Sequence, residues 1–288
     1  MKKTLIALTI IMISCSSNKT LKHPLDKSVS RTMVLENGLR VYLLSDPSFN
    51  VAAASMSVEV GNYQDPKNRE GLAHFLEHML FLGTEKYPNV DDYSSYLAQN
   101  GGYSNAYTTS NHTNYHFEVY HNSFEGAIDR FSQFFISPLF TDEFTEREMN
   151  AVNSEHQKNL QNDWRRMYQL KNSHMKKGHP TNTFSTGNLE TLKNVDRKVL
   201  VDFYNRYYSS NIMCLSLLGS DSIEQLESWA REYFSEVENK EIPYNSFDPV
   251  ALDEKKLFRL LKMIPVKDEK YLSLSFPIPL RLYELYGS

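Results

Sequence analysis

Residues 32–45 read TMVLENGLRVYLLS, two alternating apolar runs on either side of Asn37-Gly38. Alternation places one set of side chains on a single face of a strand, and Asn-Gly supplies the positive φ angles of a tight turn, so the stretch predicts a hairpin. Residues 51–60, VAAASMSVEV, predict a third strand whose small side chains pack closely against a neighbour. Residues 70–83, EGLAHFLEHMLFLG, are apolar nearly all round and predict a buried helix ending at Gly83. Further along, helices are predicted over 90–99, 123–135, 197–208 and 222–234, and one long helix over 141–171. Strands are predicted over 101–109, 114–120 and 212–218. The order gives an α/β (α+β) fold, an antiparallel or mixed sheet with helices mainly on one face.

The chain has 288 residues, 41% hydrophobic and 23% charged, with a net charge of −4. Such a composition fits a folded globular protein and gives no ground for a nucleic-acid partner. Residues 1–15, MKKTLIALTIIMISC, combine Lys2 and Lys3 with a short apolar run and a small residue before Cys15. The run is too short for a transmembrane helix and reads as a bacterial secretory signal. The position of Cys15 resembles a lipoprotein signal, which implies lipidation there and anchoring in the bacterial periplasm or cell envelope. Residues 16–30 read as a tether, 31–240 as the main domain, 241–255 as a turn-rich linker, and 256–288 as the start of a second, similar domain with new strands over 256–277. The second cysteine, Cys214, sits in an apolar run and reads as a buried small hydrophobe.

His74, Glu77 and His78 lie inside the predicted buried helix. Residues four apart share a helix face, so both imidazoles can reach one metal ion. Glu77 projects near the same edge, where it can take a proton from water activated by the metal. The H-x-x-E-H order is the inverzincin signature. The plain alternative is two helical histidines without a metal, but unpaired polar groups in an apolar helix are costly, and coordination relieves that cost. A third ligand is required. Residues 141–171 carry Glu146, Glu148 and Glu155, and Glu148 and Glu155, seven apart, share a face. Spacing alone does not choose between them; the other can orient a ligand histidine. Two histidines and a carboxylate suit Zn2+, and manganese or cobalt are also compatible.

GLAHFLEHMLFLGTEKYP, YSNAYTTSNHTNYHFEV, EGAIDRFSQFFISPLF and REMNAVNSEHQKN together resemble the pitrilysin and insulin-degrading-enzyme family of zinc metallopeptidases, over residues from about 35 to 279. The resemblance implies that His74, His78 and Glu155 hold one zinc, that Glu77 is the catalytic base and that Glu148 supports a ligand from behind. It implies that Asn105 and Ala106 lie on a strand that pairs with an extended peptide, and that Phe81, Tyr107 and Trp164 line the substrate pocket; for these three, core packing is the plain alternative. The family's four α/β domains enclose peptides in a chamber, and this chain matches the first and the opening of the second. The tail LRLYELYGS departs from the family, which implies a truncated chain that needs a C-terminal half or companion subunit for full activity. The expected function is a zinc metalloendopeptidase acting on peptides or small unfolded proteins. The competing reading is a peptide- or zinc-binding subunit without turnover.

Overall fold

The computed structural model describes residues 22–23, 25–248, 250–253, 255, 259–268 and 270–276. Cys15 and the signal stretch 1–15 lie outside the described residues. The strands are β1 (Val29–Val34), β2 (Arg40–Ser45), β3 (Val51–Val58), β4 (Tyr103–Thr108), β5 (Thr113–Tyr120) and β6 (Met213–Gly219). They form one mixed sheet in the order β1-β2-β6-β3-β5-β4, antiparallel throughout except where β6 runs parallel to β2. β6 enters between β2 and β3, and β4 lies at one edge.

The strands alternate as their sequences require. Ala52, Ala54, Met56 and Val58 of β3 are buried with Tyr115, Phe117 and Val119 of β5 and Leu215 and Leu217 of β6. Their neighbours Ser55, Ser57, His116 and Ser216 stay half-exposed on the opposite face. The helices cover the buried face: α1 (Leu72–Met79), α2 (Asp92–Gln99), α3 (Phe124–Ser132), α4 (Asp142–Leu160), α5 (Asp163–Ser173), α6 (Arg197–Tyr207) and α7 (Ile223–Phe234). Phe131 meets Phe117 edge-to-face with ring centres 5.2 Å apart and Phe134 at a tilt at 5.8 Å, each such burial contributing about 1.5–3 kcal/mol. None of the described helices is long and apolar enough to cross a membrane.

Three expectations are corrected. The β1–β2 turn is wider than a two-residue Asn-Gly hairpin: the amide of Leu35 donates to the carbonyl of Leu39 and that of Gly38 to Leu35, with Gly38 alone at positive φ, 84°. Asn37 is drawn away instead, its side-chain amide donating to the carbonyls of Phe234 and Val237. The single helix expected over 141–171 is two, because Asn162 leaves the helical conformation and its side chain caps α5 by accepting from the amides of Trp164 and Arg165. Finally, no strand occurs among the described residues of 256–277. YLSLSF (271–276) alternates like a strand, but no neighbouring described strand offers it a ladder, and Leu272, Leu274 and Phe276 remain exposed.

Candidate metal centre

α1 carries three polar groups through an otherwise apolar helix. Leu72, Ala73, Phe75, Leu76 and Met79 are buried in the core, which turns the other face, with His74 and His78, towards α4. The helix is short and is placed from both ends of its first turn. Gly71, at φ 90°, precedes it, and a Cβ there would come within 2.3 Å of the Gly187 backbone. The amides of Gly71 and Ala73 donate to Asp65 at 2.7 and 2.8 Å.

The ligand-type atoms of His74, His78 and Glu155 all lie within 4.8 Å of one another. His74 Nε2 is 3.4 Å and His78 Nε2 3.9 Å from Glu155 Oε2. Ligands about 2.0–2.1 Å from a tetrahedral zinc sit about 3.4 Å apart, so the spacing and the donor set fit that ion. The outward nitrogen of each ring is engaged. His74 Nδ1 donates to the carbonyl of Thr186 at 2.7 Å, which directs Nε2 at Glu155. His78 Nδ1 lies 3.5 Å from Glu148 Oε2 and is oriented likewise. Geometry thus separates the two glutamates that spacing left equivalent: Glu155 faces both imidazole Nε2 atoms, and Glu148 stands behind His78. Glu146 is exposed on the helix surface. His156, next to Glu155, turns its ring against Phe184 instead.

Burial works against a charged His78, but its bond to Glu148 and the nearby carboxylates outweigh it and raise the imidazole's pKa. The bond to His78 in turn lowers the pKa of Glu148, with Arg147 assisting. Glu77 is buried, 6% exposed, and burial raises its pKa even though His74, Thr108 and His78 favour the anion. A raised carboxylate suits proton transfer near neutral pH. Glu77 accepts a hydrogen bond from Thr108 Oγ1 through Oε2, which ties this carboxylate to the last residue of β4.

Among the described residues β4 pairs with β5 on one side only, so its outer edge presents backbone groups without a ladder partner there, beside Glu77. Asn105 is exposed and Ala106 half-buried on this strand. Tyr107 is exposed and meets the rings of His112 and His116. Phe81 is half-buried and packs against the core at Tyr93, Tyr115 and Phe134. Trp164, at the start of α5, is 62% exposed and lies against Tyr271, with ring centres 5.1 Å apart. Sequence reasoning did not find Asp65, Thr108 or the Thr186 carbonyl.

Residues 40–178 match the family model described as insulinase, peptidase family M16, and residues 194–287 match the peptidase M16 inactive domain. β6 belongs to the second stretch yet lies inside the sheet built from the first. The chain is 48% identical over 253 residues to insulin-degrading enzyme of Drosophila melanogaster, covering 85% of this chain and 26% of that protein. It is 44% identical over 274 residues to insulin-degrading enzyme of Homo sapiens, covering 93% and 27% respectively. It is 46% identical over 268 residues to the A-factor-processing enzyme of Saccharomyces cerevisiae, covering 90% and 26%. The fold is similar to a crystal structure of pitrilysin, with a TM-score of 0.79 and 34% identity over 82% of this chain and 26% of that one. The chain spans about a quarter of the length of these relatives.

Proposed function

This chain belongs to the M16 (insulinase) peptidase family, and from that premise we propose that it is a zinc-dependent metalloendopeptidase hydrolysing bonds within peptides or small unfolded proteins. The observation that carries the reading is the His74–His78–Glu155 group with Glu77 beside it, at the free edge of β4.

His74, His78 and Glu155 would hold the ion, each histidine through Nε2. When bound, zinc supplies Lewis acidity, which makes water a stronger acid and a carbonyl a better electrophile. The peptide lies along β4 as an added strand near Asn105 and Ala106, so backbone bonds present one peptide bond to the site with little regard to side chains. Thr108 occupies Oε2 of Glu77 and leaves Oε1 to take the proton as water adds to the scissile carbon. Glu77 then passes that proton to the departing amine nitrogen as the carbon–nitrogen bond breaks. Glu148 keeps His78 in the ligating orientation. Tyr107 and Trp164 offer exposed aromatic surface to substrate side chains, and half-buried Phe81 offers part of its ring.

We propose export and anchoring at the bacterial periplasm or cell envelope through lipid on Cys15, a reading that rests on residues 1–15 alone. Loss of the chain from the membrane fraction in Cys15→Ser is the expected outcome, and unchanged fractionation overturns it. The relatives are about three and a half times as long as this chain, and we include a C-terminal half or companion subunit in the proposal. The second reading is a zinc- or peptide-binding subunit without turnover.

The test is cleavage of a quenched fluorescent peptide by the zinc-loaded chain beside chelator-treated protein and Glu77→Gln. Chelator-sensitive cleavage lost in Glu77→Gln supports the peptidase. Cleavage that survives Glu77→Gln overturns the mechanism. One tightly bound zinc with no cleavage means that the site is built but incomplete, and cleavage is then measured with the C-terminal half or companion subunit supplied; no cleavage there either selects the second reading.

A further inference from the structure

α1 begins without a cap of its own. Gly71 has no side chain to accept from the first-turn amides, and no side chain at that position makes a capping bond. The amides are nevertheless satisfied. Gly71 N donates to Asp65 Oδ2 at 2.7 Å and Ala73 N to Asp65 Oδ1 at 2.8 Å. Asp65 stands before Pro66, outside the helix, so the cap is supplied across a turn rather than by the preceding residue.

The turn that carries Asp65 is itself fixed. The amides of Asn62 and Tyr63 donate to the carbonyls of Thr109 and Ser110, in the loop between β4 and β5. The amide of Gly61 donates to the side chain of Gln64. Asp65 therefore joins two parts of the site: the loop that follows Thr108, and the helical turn that carries His74 one residue after Ala73. On the opposite side Gly71 abuts Gly187, and the neighbouring Thr186 carbonyl receives His74 Nδ1. An eight-residue helix is about 12 Å long, so a tilt of its first turn displaces His74, Glu77 and His78 together.

We infer that Asp65 is a positioning residue for the metal centre, a borrowed two-pronged cap that fixes the rotation of α1 and hence the aim of His74 and His78 at Glu155. Asp65 touches neither ion nor peptide. Its two oxygens each accept from one amide. An asparagine keeps one acceptor and turns a donor towards the other amide. An alanine leaves both amides without a partner. The inference deepens the metal-site reading above and rests on it.

The test uses the full chain with Asp65→Ala and Asp65→Asn. Zinc affinity is read by competition with a chromophoric chelator, and amide hydrogen exchange is read on the metal-free protein. In Asp65→Ala, affinity falls about 10–100-fold and the Ala73 amide loses protection, while amides of β3 and β5 keep theirs. Asp65→Asn falls between the two, because asparagine still accepts one bond. If cleavage is measurable, kcat falls and the peptide KM does not. Unchanged zinc affinity in Asp65→Ala overturns the inference. Equal loss of protection in β3 and at Ala73 also overturns it, since the role is then one of general stability. Should Asp65→Ala fail to fold, Asp65→Asn decides: affinity and Ala73 exchange equal to the unaltered chain overturn the inference. An unaltered chain that binds zinc without cleaving leaves turnover to be tested with the C-terminal half supplied, and Asp65 is judged by affinity and exchange. One that binds no zinc breaks the metal-site reading, and this inference with it.

Discussion

Of the 8 residues in α1, six are buried, whereas the 19-residue α4 buries Thr145 and Val152. The two helices face each other across the same site. α1 holds His74 and His78 from a platform locked into the core at Phe75, Leu76 and Met79. α4 offers Glu155 from a largely solvated helix that meets the core through Val152, with Phe144 and Met149 packed against it. The proposed base sits on the platform and is further fixed by β4. Groups that must hold a set angle come from the core, and the charge that completes the donor set comes from the periphery. Changes on α1 therefore reach both fold and chemistry, and changes on α4 can reach the metal alone.

The largest effect should come from Glu77→Gln. The side chain keeps its shape and loses its basicity, so cleavage of the quenched peptide should fall about 10²–10⁴-fold while zinc content stays at one ion per chain. A matching fall in unfolding free energy would show that chemistry and platform are not separable. Next, Leu76→Ala on α1 should cost about 2–5 kcal/mol in denaturant unfolding of the metal-free chain. Ser154→Ala on the exposed side of α4 should stay within about 0.5 kcal/mol. Equal losses would erase the contrast between the helices. Glu148→Ala should weaken zinc about 10–100-fold, by chelator competition, with metal-free stability unchanged.

Burial pushes Asp65 up to about 7, against the amides of Ala73 and Gly71 that lower it. A carboxyl whose pKa is higher folded than unfolded adds stability that is fully present below its unfolded value and lost as pH rises through the folded one. Urea midpoints of the metal-free chain should therefore decline between about pH 4 and pH 7, and Asp65→Asn should flatten that part of the profile. An unchanged slope would place the titration elsewhere. The smallest effect is expected from Asn162→Ala, about 1 kcal/mol for a lost cap, with faster amide exchange confined to the first turn of α5.

The platform was the legible half. HFLEH inside an apolar run announces two imidazoles and a carboxylate on one buried helix, because burying them without partners would be costly. Glu148 and Glu155 were legible as a pair, but their separate roles depend on how α4 lies against α1, which spacing does not encode. The break between α4 and α5 did have a signal: Asn162-Asp163 is cap chemistry, and it was overridden by the helical pattern on either side. The partner of His74 had none, since a backbone carbonyl at Thr186 has no side-chain signature. Asp65 caps α1 from beyond Pro66, outside the few residues in which caps are normally sought. YLSLSF shows the converse case. Its alternation equals that of VAAASMSV, yet β3 has β5 and β6 to pair with, and a strand exists only with a neighbour.

The central place of β6 bears on the order in which the molecule can be assembled. β2 and β3 do not pair with each other; each pairs with β6. As the chain leaves the ribosome, β1 and β2 can form one hairpin, and β3, β5 and β4 a second small sheet. Each then exposes a raw edge to its surroundings. The two are joined only when residues 213–219 have emerged and slid between them, a late contact that closes a long loop. Until then α1 lies on half a sheet. Nascent chains ending before Gly219 should thus be the species that chaperones engage and proteases remove.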